Sequence, residues 1–90
     1  MAVLTVEAVA ANHVVWEGEA TFVRARTTEG DIGVMADHEP FLAALVPGVA
    51  KIEAADGSVA WVKIDGGFIS VEENRVSLLS QYAELTEEPK

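Results

Sequence analysis

The chain has 90 residues, no cysteine and a net charge of −9, from 15 acidic and 6 basic side chains. This length predicts one domain, and the lack of cysteine excludes disulfides and thiolate chemistry within the chain. The acidic balance argues against nucleic acid and anionic lipid as partners, because both would repel such a surface. No apolar run approaches the roughly 20 residues that a membrane-spanning helix needs, so direct membrane insertion is not expected.

Alternation of apolar and polar residues predicts strands in the first third of the chain. Residues 2–10 alternate with period two, and Asn12-His13 forms a turn. A short β-rich run follows at Val14–Trp16, which Glu17-Gly18 is predicted to close. Residues 20–27 alternate again and predict a separate strand.

The central stretch, residues 27–49, holds apolar segments between dense clusters of turn residues. A turn at Glu29-Gly30-Asp31 precedes a short strand at Ile32–Met35, and a polar corner follows at residues 36–40. The apolar run Phe41–Val46 must be buried against something, and its first five residues could form one helical turn. A second turn falls at Pro47-Gly48.

The second half of the chain reads as two strand pairs. Residues 49–55 and 59–65 are predicted to pair through a two-residue hairpin at Asp56-Gly57. Gly66-Gly67 suggests a bulge or a close backbone approach. Residues 68–71 and 76–80 form the last pair, and residues 83–90 are expected to be an acidic, frayed tail.

Seven or eight short strands predict an all-β domain over residues 1–82, a flattened antiparallel β-sandwich or barrel. Several strands are apolar on both faces: for example, Phe68 opposes Ile69, and Leu79 opposes Leu78. A sandwich buries only one face of each strand, so the surplus apolar surface indicates a docking module. A partner is expected to present basic residues to this acidic chain.

The sequence offers little for catalysis. Asp37 and His38 could form an acid–base pair, but no nucleophile is placed beside them, and a corner capped by the Asp37 side chain is the preferred interpretation. A metal needs three or four convergent ligands, and His13 is distant in sequence. We therefore predict no catalytic residue, no metal and no cofactor.

Seven short motifs occur in order along almost the whole chain. They are Val15-Trp16-x-Gly18, Glu29-Gly30-Asp31-Ile32-Gly33-Val34, His38-x-Pro40-Phe41-Leu42, Leu45-x-Pro47-Gly48, Gly66-Gly67-Phe68-x-x-Val71, Asn74-x-Val76-x-Leu78-Leu79 and Ala83-Glu84. Together they resemble the epsilon subunit of the F-type ATP synthase, in its N-terminal β-sandwich domain.

That resemblance implies a sandwich of ten strands, so about eight to ten are expected here, in a non-catalytic subunit of a proton-translocating ATP synthase. Such a subunit sits in the rotor at the cytoplasmic face of the cell membrane as a peripheral component, and it couples proton-driven rotation to ATP synthesis. Carried over by position, Glu29 and Asp31 would face the c-ring. The expected gamma-facing residues are His38, Pro40, Phe41, Leu42, Leu45 and Tyr82.

The chain departs from the family pattern in two places. Ala36-Asp37 stands where the family usually has Pro-Gly, and the sequence stops at Lys90, before the family's C-terminal helical hairpin. The expectation is therefore a coupling subunit without the inhibitory helices and without ATP binding. The alternatives are a freestanding ligand- or peptide-binding sandwich with a pocket near Trp16, Trp61 or Tyr82, and, more remotely, an enzyme that uses Asp37 and His38.

Overall fold

A computed structural model describes residues 2–89, which form nine strands and no helix. The strands are β1 (Leu4–Ala10), β2 (His13–Thr27), β3 (Gly30–Val34), β4 (Phe41–Leu45), β5 (Gly48–Ala54), β6 (Val59–Ile64), β7 (Gly67–Glu72), β8 (Arg75–Leu79) and β9 (Ala83–Thr86). The predicted all-β class is confirmed. Within this described part, no helix is available to cross a bilayer.

The 15-residue strand β2 joins two layers. Its first half pairs with β1, and the first layer continues through β8 and β7 to β4. Its second half pairs with β3 on one side and with β5 on the other, and the second layer continues through β6 to β9. Neighbouring strands run antiparallel, except that β1 and β8 are parallel.

The continuity of β2 corrects the expected turn at Glu17-Gly18. The ladder with β1 runs through this point, pairing Glu7 with Glu17 and Val6 with Gly18. The side chain of Trp16 lies over Gly18, where a Cβ would come within 3.3 Å of the indole ring. Ladder pairing and the covering indole hold Gly18 inside a strand despite its turn propensity.

The core lies between the two layers and follows the alternation of each strand. Its largest fully buried side chains are Leu4, Val6, Val23, Val34, Ile52, Val62, Ile69, Val71, Val76 and Leu78. Burial of this apolar surface is the main favourable term for a chain that has no disulfide.

Three local predictions need correction. Residues 41–45 form strand β4 against β7, and not a helical turn, because β7 offers a free edge to pair with. The Asp56-Gly57 hairpin has a three-residue loop, since the Ala54 amide bonds to the carbonyl of Ser58. Residues 83–86 of the expected frayed tail form β9 on the edge of β6, with Ala83 buried, whereas Lys90 lies outside the described residues.

Candidate docking surfaces

The outer face of the first layer carries a continuous apolar row across five strands. Strand register places Val14, Val9, Leu79, Phe68 and Ala44 side by side, from β2 through β1, β8 and β7 to β4. Phe68 is 54% exposed, Val14 49% and Leu79 43%. This apolar row is the surplus apolar surface that the two-faced strands predict.

Polar and acidic side chains flank the apolar row. One register step along the strands, Glu7 lies beside Ser77 and Glu17, and the Ser77 hydroxyl is 3.3 Å from the Glu7 carboxylate. Glu19 and Arg75 border the same region, around an open cleft of about 380 Å³. The face therefore offers apolar contact at one end and mostly negative charge at the other.

Gly67 allows β7 and β8 to approach closely just where Phe68 and Leu79 emerge. Its φ is +110°, a region that side-chain-bearing residues rarely adopt. A Cβ at this position would overlap the carbonyl oxygen of Leu79 and lie 2.9 Å from the Cα of Ser80. This confirms the close backbone approach that Gly66-Gly67 suggests, and it links this glycine to the shape of the apolar row.

The polar corner before β4 is fixed by the side chain of Asn74, from the β7–β8 turn. Asp37 adopts a φ of 68°, and its amide donates to the Asn74 side-chain oxygen at 2.6 Å. Asn74 is thus the capping residue, where the sequence suggested the Asp37 carboxylate. His38 Nδ1 lies 2.8 Å from the Glu39 carbonyl, and its ring packs 5.2 Å from that of Phe41. Nothing in this geometry pairs the His38 ring with the Asp37 carboxylate.

The predicted gamma-facing residues in and before β4 differ in exposure: some are exposed and others are packed against the core. Leu42 is 70% exposed on the outer face of β4, one register step from the apolar row, and Pro40 is exposed in the corner. Phe41 is partly buried and packs against the core. Leu45 is only 5% exposed, because alternation along β4 points it inward, so its side chain belongs to the core and offers almost no surface to a partner.

The predicted c-ring residues sit at the tip of the β2–β3 hairpin. Thr27 anchors the tip: its hydroxyl donates to the Gly30 carbonyl at 2.9 Å and accepts from the Glu29 amide at 3.1 Å. Arg26 Nε donates to the Asp31 carboxylate at 3.0 Å, which lowers the pKa of Asp31 below its ordinary value. Glu29 is exposed at the tip.

The hairpin and the polar corner lie at opposite ends of β4. The Thr28 amide bonds to the carbonyl of Ala44 near the end of β4, whereas His38 precedes its first residue. The two predicted interfaces are therefore separate surfaces, with the exposed face of β4 between them.

Tyr82 is half-exposed beside a carboxylate cluster at the β8–β9 connection. The Ser80 hydroxyl, at 2.7 Å, and the Tyr82 amide, at 3.2 Å, both donate to Asp65, and together they lower the pKa of Asp65. A hydrogen bond to the Glu84 carboxylate raises the pKa of the Tyr82 phenol. The predicted gamma-facing set therefore does not converge, because Tyr82 belongs to the end opposite His38.

Sequence reasoning missed Val9 and Val14 as surface residues. Their place in the apolar row depends on the parallel pairing of β1 with β8, which joins residues some 70 positions apart. No local pattern encodes that register. Phe68 and Leu79 were recognisable as surplus apolar residues but were not assigned to an interface. Within residues 2–89, no three His, Asp or Glu side chains converge to hold a metal.

Comparison with known proteins identifies the family. Residues 3–86 match the ATP synthase, Delta/Epsilon chain, beta-sandwich domain. The ATP synthase epsilon chain of Streptomyces avermitilis is 52% identical over 85 residues, covering 94% of this chain and 68% of the relative. The epsilon chain of Rhodococcus opacus is 48% identical over 89 residues, covering 98% of this chain and 73% of the relative.

Solved structures agree on the fold. A chain in the cryo-EM structure of the Euglena gracilis mitochondrial ATP synthase (OSCP/F1/c-ring) superposes with a TM-score of 0.87 at 25% identity, over 94% of this chain and 54% of that one. A chain from the Tetrahymena thermophila mitochondrial ATP synthase central stalk/c-ring superposes at 0.71 with 19% identity, over 89% of this chain and 64% of that one, which supports the fold alone. This chain thus spans about two thirds of its epsilon-chain relatives and about half of the Euglena chain. It belongs to the ATP synthase delta/epsilon family, as an epsilon-type chain rather than a freestanding binding module.

Proposed function

We propose that this chain docks on the gamma subunit through the outer face of the first layer and meets the c-ring through the β2–β3 hairpin tip. Its role is non-catalytic: it fastens the gamma subunit to the ring, so that proton-driven rotation reaches the catalytic head. The observation that carries the proposal is the apolar row, where Phe68, Leu79 and Val14 remain substantially exposed on a small acidic chain. Family membership supports the same role.

Burial of the apolar row would contribute substantially to the free energy of docking. Full burial of one Leu, Val or Phe side chain stabilises by about 1.5–3 kcal/mol, and here about half of each of three side chains remains to be buried. Loss of translational and rotational freedom offsets part of this gain. Gamma docking is therefore expected to be moderate alone and to be reinforced by the ring contact, because both surfaces belong to one rigid body.

The charges of this chain indicate what the contacting surfaces of gamma and of the ring should carry. Glu7, Glu17 and Glu19 flank the apolar row, so the gamma surface should combine apolar side chains with Lys or Arg. At the hairpin tip, Glu29 presents a carboxylate that suits basic loops of the ring. The proposed location is the cytoplasmic face of the cell membrane, where the chain is held peripherally by these partners.

Calorimetric titration with the gamma subunit tests the first contact. Phe68→Glu places a charge in the middle of the row and should weaken binding at least tenfold, as truncation of a central aromatic commonly does. Leu85→Glu is the matched control, because Leu85 is also 54% exposed but lies on β9 in the second layer. If both variants lose gamma affinity equally while their circular dichroism stays native, gamma does not dock on the first layer.

The ring contact needs a separate test. Glu29→Lys reverses the charge at the hairpin tip and should weaken capture of the gamma-bound chain by detergent-solubilised c-ring. Glu73→Lys makes the same change at the β7–β8 turn, which lies at the other end of the first layer, and should leave capture unchanged. If the Glu73 variant alone loses capture, the ring meets the other end of the chain.

A further inference from the structure

The outer face of the second layer collects most of the positive charge of this acidic chain. Four of the six basic residues lie there: Arg24 and Arg26 on β2, Lys51 on β5 and Lys63 on β6. We call this set the basic strip. Three carboxylates share this face on its strands, on Asp31, Glu53 and Glu84, so the strand residues of the face carry one more cation than carboxylate in a chain of net charge −9.

Strand register arranges the basic strip around an aromatic side chain. Arg24 lies beside Lys51, and Lys51 lies beside Trp61 on the next strand. Lys51 Nζ sits 5.5 Å from the centre of the Trp61 ring, in cation–π contact. Trp61 is partly exposed, so it offers a flat apolar surface between cations.

Two of the four cations form no ion pair with a carboxylate of the described residues. Arg26 bonds to Asp31 at 3.0 Å, and Lys51 lies 3.3 Å from Glu53. Across residues 2–89, no carboxylate comes within 4.0 Å of the Arg24 or Lys63 cationic group. Arg24 also lines an open cleft of about 380 Å³ between Arg26 and Val49.

The acidic C-terminal segment of the chain reaches this cleft. Pro89 lines it and directly follows Glu87 and Glu88 in the sequence. The chain's own segment thus reaches the cleft in an extended form but makes no ion pair with Arg24, so the Arg24 guanidinium stays available to another carboxylate.

We infer that the basic strip docks an acidic segment of another protein, with Trp61 as the apolar platform between the cations. This inference goes beyond the proposed function, because the strip lies on the layer opposite the apolar row. A polypeptide is favoured over nucleic acid or an anionic lipid surface because the whole chain repels extended phosphate arrays, whereas a short carboxylate segment needs only local positive charge. Free Arg24 and Lys63 supply the charge, and Trp61 supplies the kind of aromatic anchor that is enriched at interfaces.

Titration of the ¹⁵N-labelled chain with a short alanine–glutamate repeat peptide at low salt tests this inference. The side-chain N–H signal of Trp61, assigned from Trp61→Phe, should shift to saturation, while that of Trp16 stays in place. The alanine–glutamine peptide should cause no shift. Arg24→Gln should weaken peptide binding up to about fivefold, the equivalent of one surface ion pair of about 1 kcal/mol. The double change Arg24→Glu with Lys63→Glu should abolish it.

Arg75→Gln is the matched control, because Arg75 is an exposed cation on the first layer. Three results would overturn the inference: no shift at Trp61, equal shifts with both peptides, or equal weakening by the Arg24 and Arg75 variants. Saturation of the same signal by inorganic phosphate at lower concentration than by the glutamate peptide would also overturn it, in favour of a small-anion site. Because gamma is absent from this titration, its failure leaves the gamma proposal intact.

Discussion

Replacing Gly67 by alanine should destabilise the chain by far more than replacing Gly30. The two glycines have nearly the same φ, +110° and +113°, so both substitutions carry the conformational strain of an unfavourable backbone region, about 1–3 kcal/mol. Only at Gly67 does the new methyl group overlap the neighbouring strand, at the Leu79 carbonyl, whereas nothing lies within 4 Å of a Cβ at Gly30. Overpacking of this kind costs about a further 1–3 kcal/mol.

The difference is large against the whole stability of a small domain, about 5–15 kcal/mol. Urea unfolding, followed by tryptophan fluorescence and circular dichroism, measures both variants. We expect Gly67→Ala to lose at least about 1 kcal/mol more than Gly30→Ala, and to weaken gamma binding because β7 and β8 must separate beneath Phe68 and Leu79. Equal losses in the two variants would refute the close approach of these strands.

Two further predictions concern burial and charge. Leu45→Ala should cost about 2–5 kcal/mol in urea unfolding, whereas Leu42→Ala should stay within about 0.5 kcal/mol, because only Leu45 is buried; similar losses would place both leucines in the core. The NMR-measured pKa of Asp65 should lie below 3.8 and rise toward it in Ser80→Ala, since the Ser80 hydroxyl is the main group that stabilises the Asp65 carboxylate. The stability that this carboxylate contributes is present above pH 3.8 and is lost as pH falls through its lowered pKa, so the wild type should lose more stability below pH 3.8 than Ser80→Ala does. An unchanged pKa in the variant would show that the hydroxyl does not act on Asp65.

The strand pairs with clear period-two alternation and a strong turn were predictable from sequence. The β7–β8 hairpin turns at Glu73-Asn74, where both residues have positive φ, between the two strands predicted at residues 68–71 and 76–80. The all-β class and the family likewise followed from local patterns and motif order.

The continuity of β2 through Gly18 and the pairing of β9 on the edge of β6 were not predictable from local patterns. Gly18 has strong turn propensity, but pairing with β1 overrides it, and that partner is invisible to a local pattern. The short segment Ala83–Thr86 lacks periodicity, yet it pairs because β6 would otherwise expose an unpaired edge.

The candidate docking surface was predicted only in outline. The run Phe41–Leu45 is apolar at every position, so the sequence could not say that Leu42 points out and Leu45 points in. Strand geometry makes that choice, since register against β7 fixes which side chains face the core. Phe68, Leu79 and Val14 could not be placed in one row from the sequence, because the row depends on the order of five strands in the folded structure.

Site-specific photo-crosslinking tests the docking face most directly, because the chain has no native cysteine to compete for a thiol-reactive label. Leu79→Cys and Val59→Cys place the same benzophenone label at sites of similar exposure, 43% and 45%, on opposite layers. Each labelled chain is assembled with the gamma subunit and irradiated. We expect a crosslink to gamma from position 79 and none from position 59. A crosslink from position 59 alone would place gamma on the second layer and would refute docking through the apolar row.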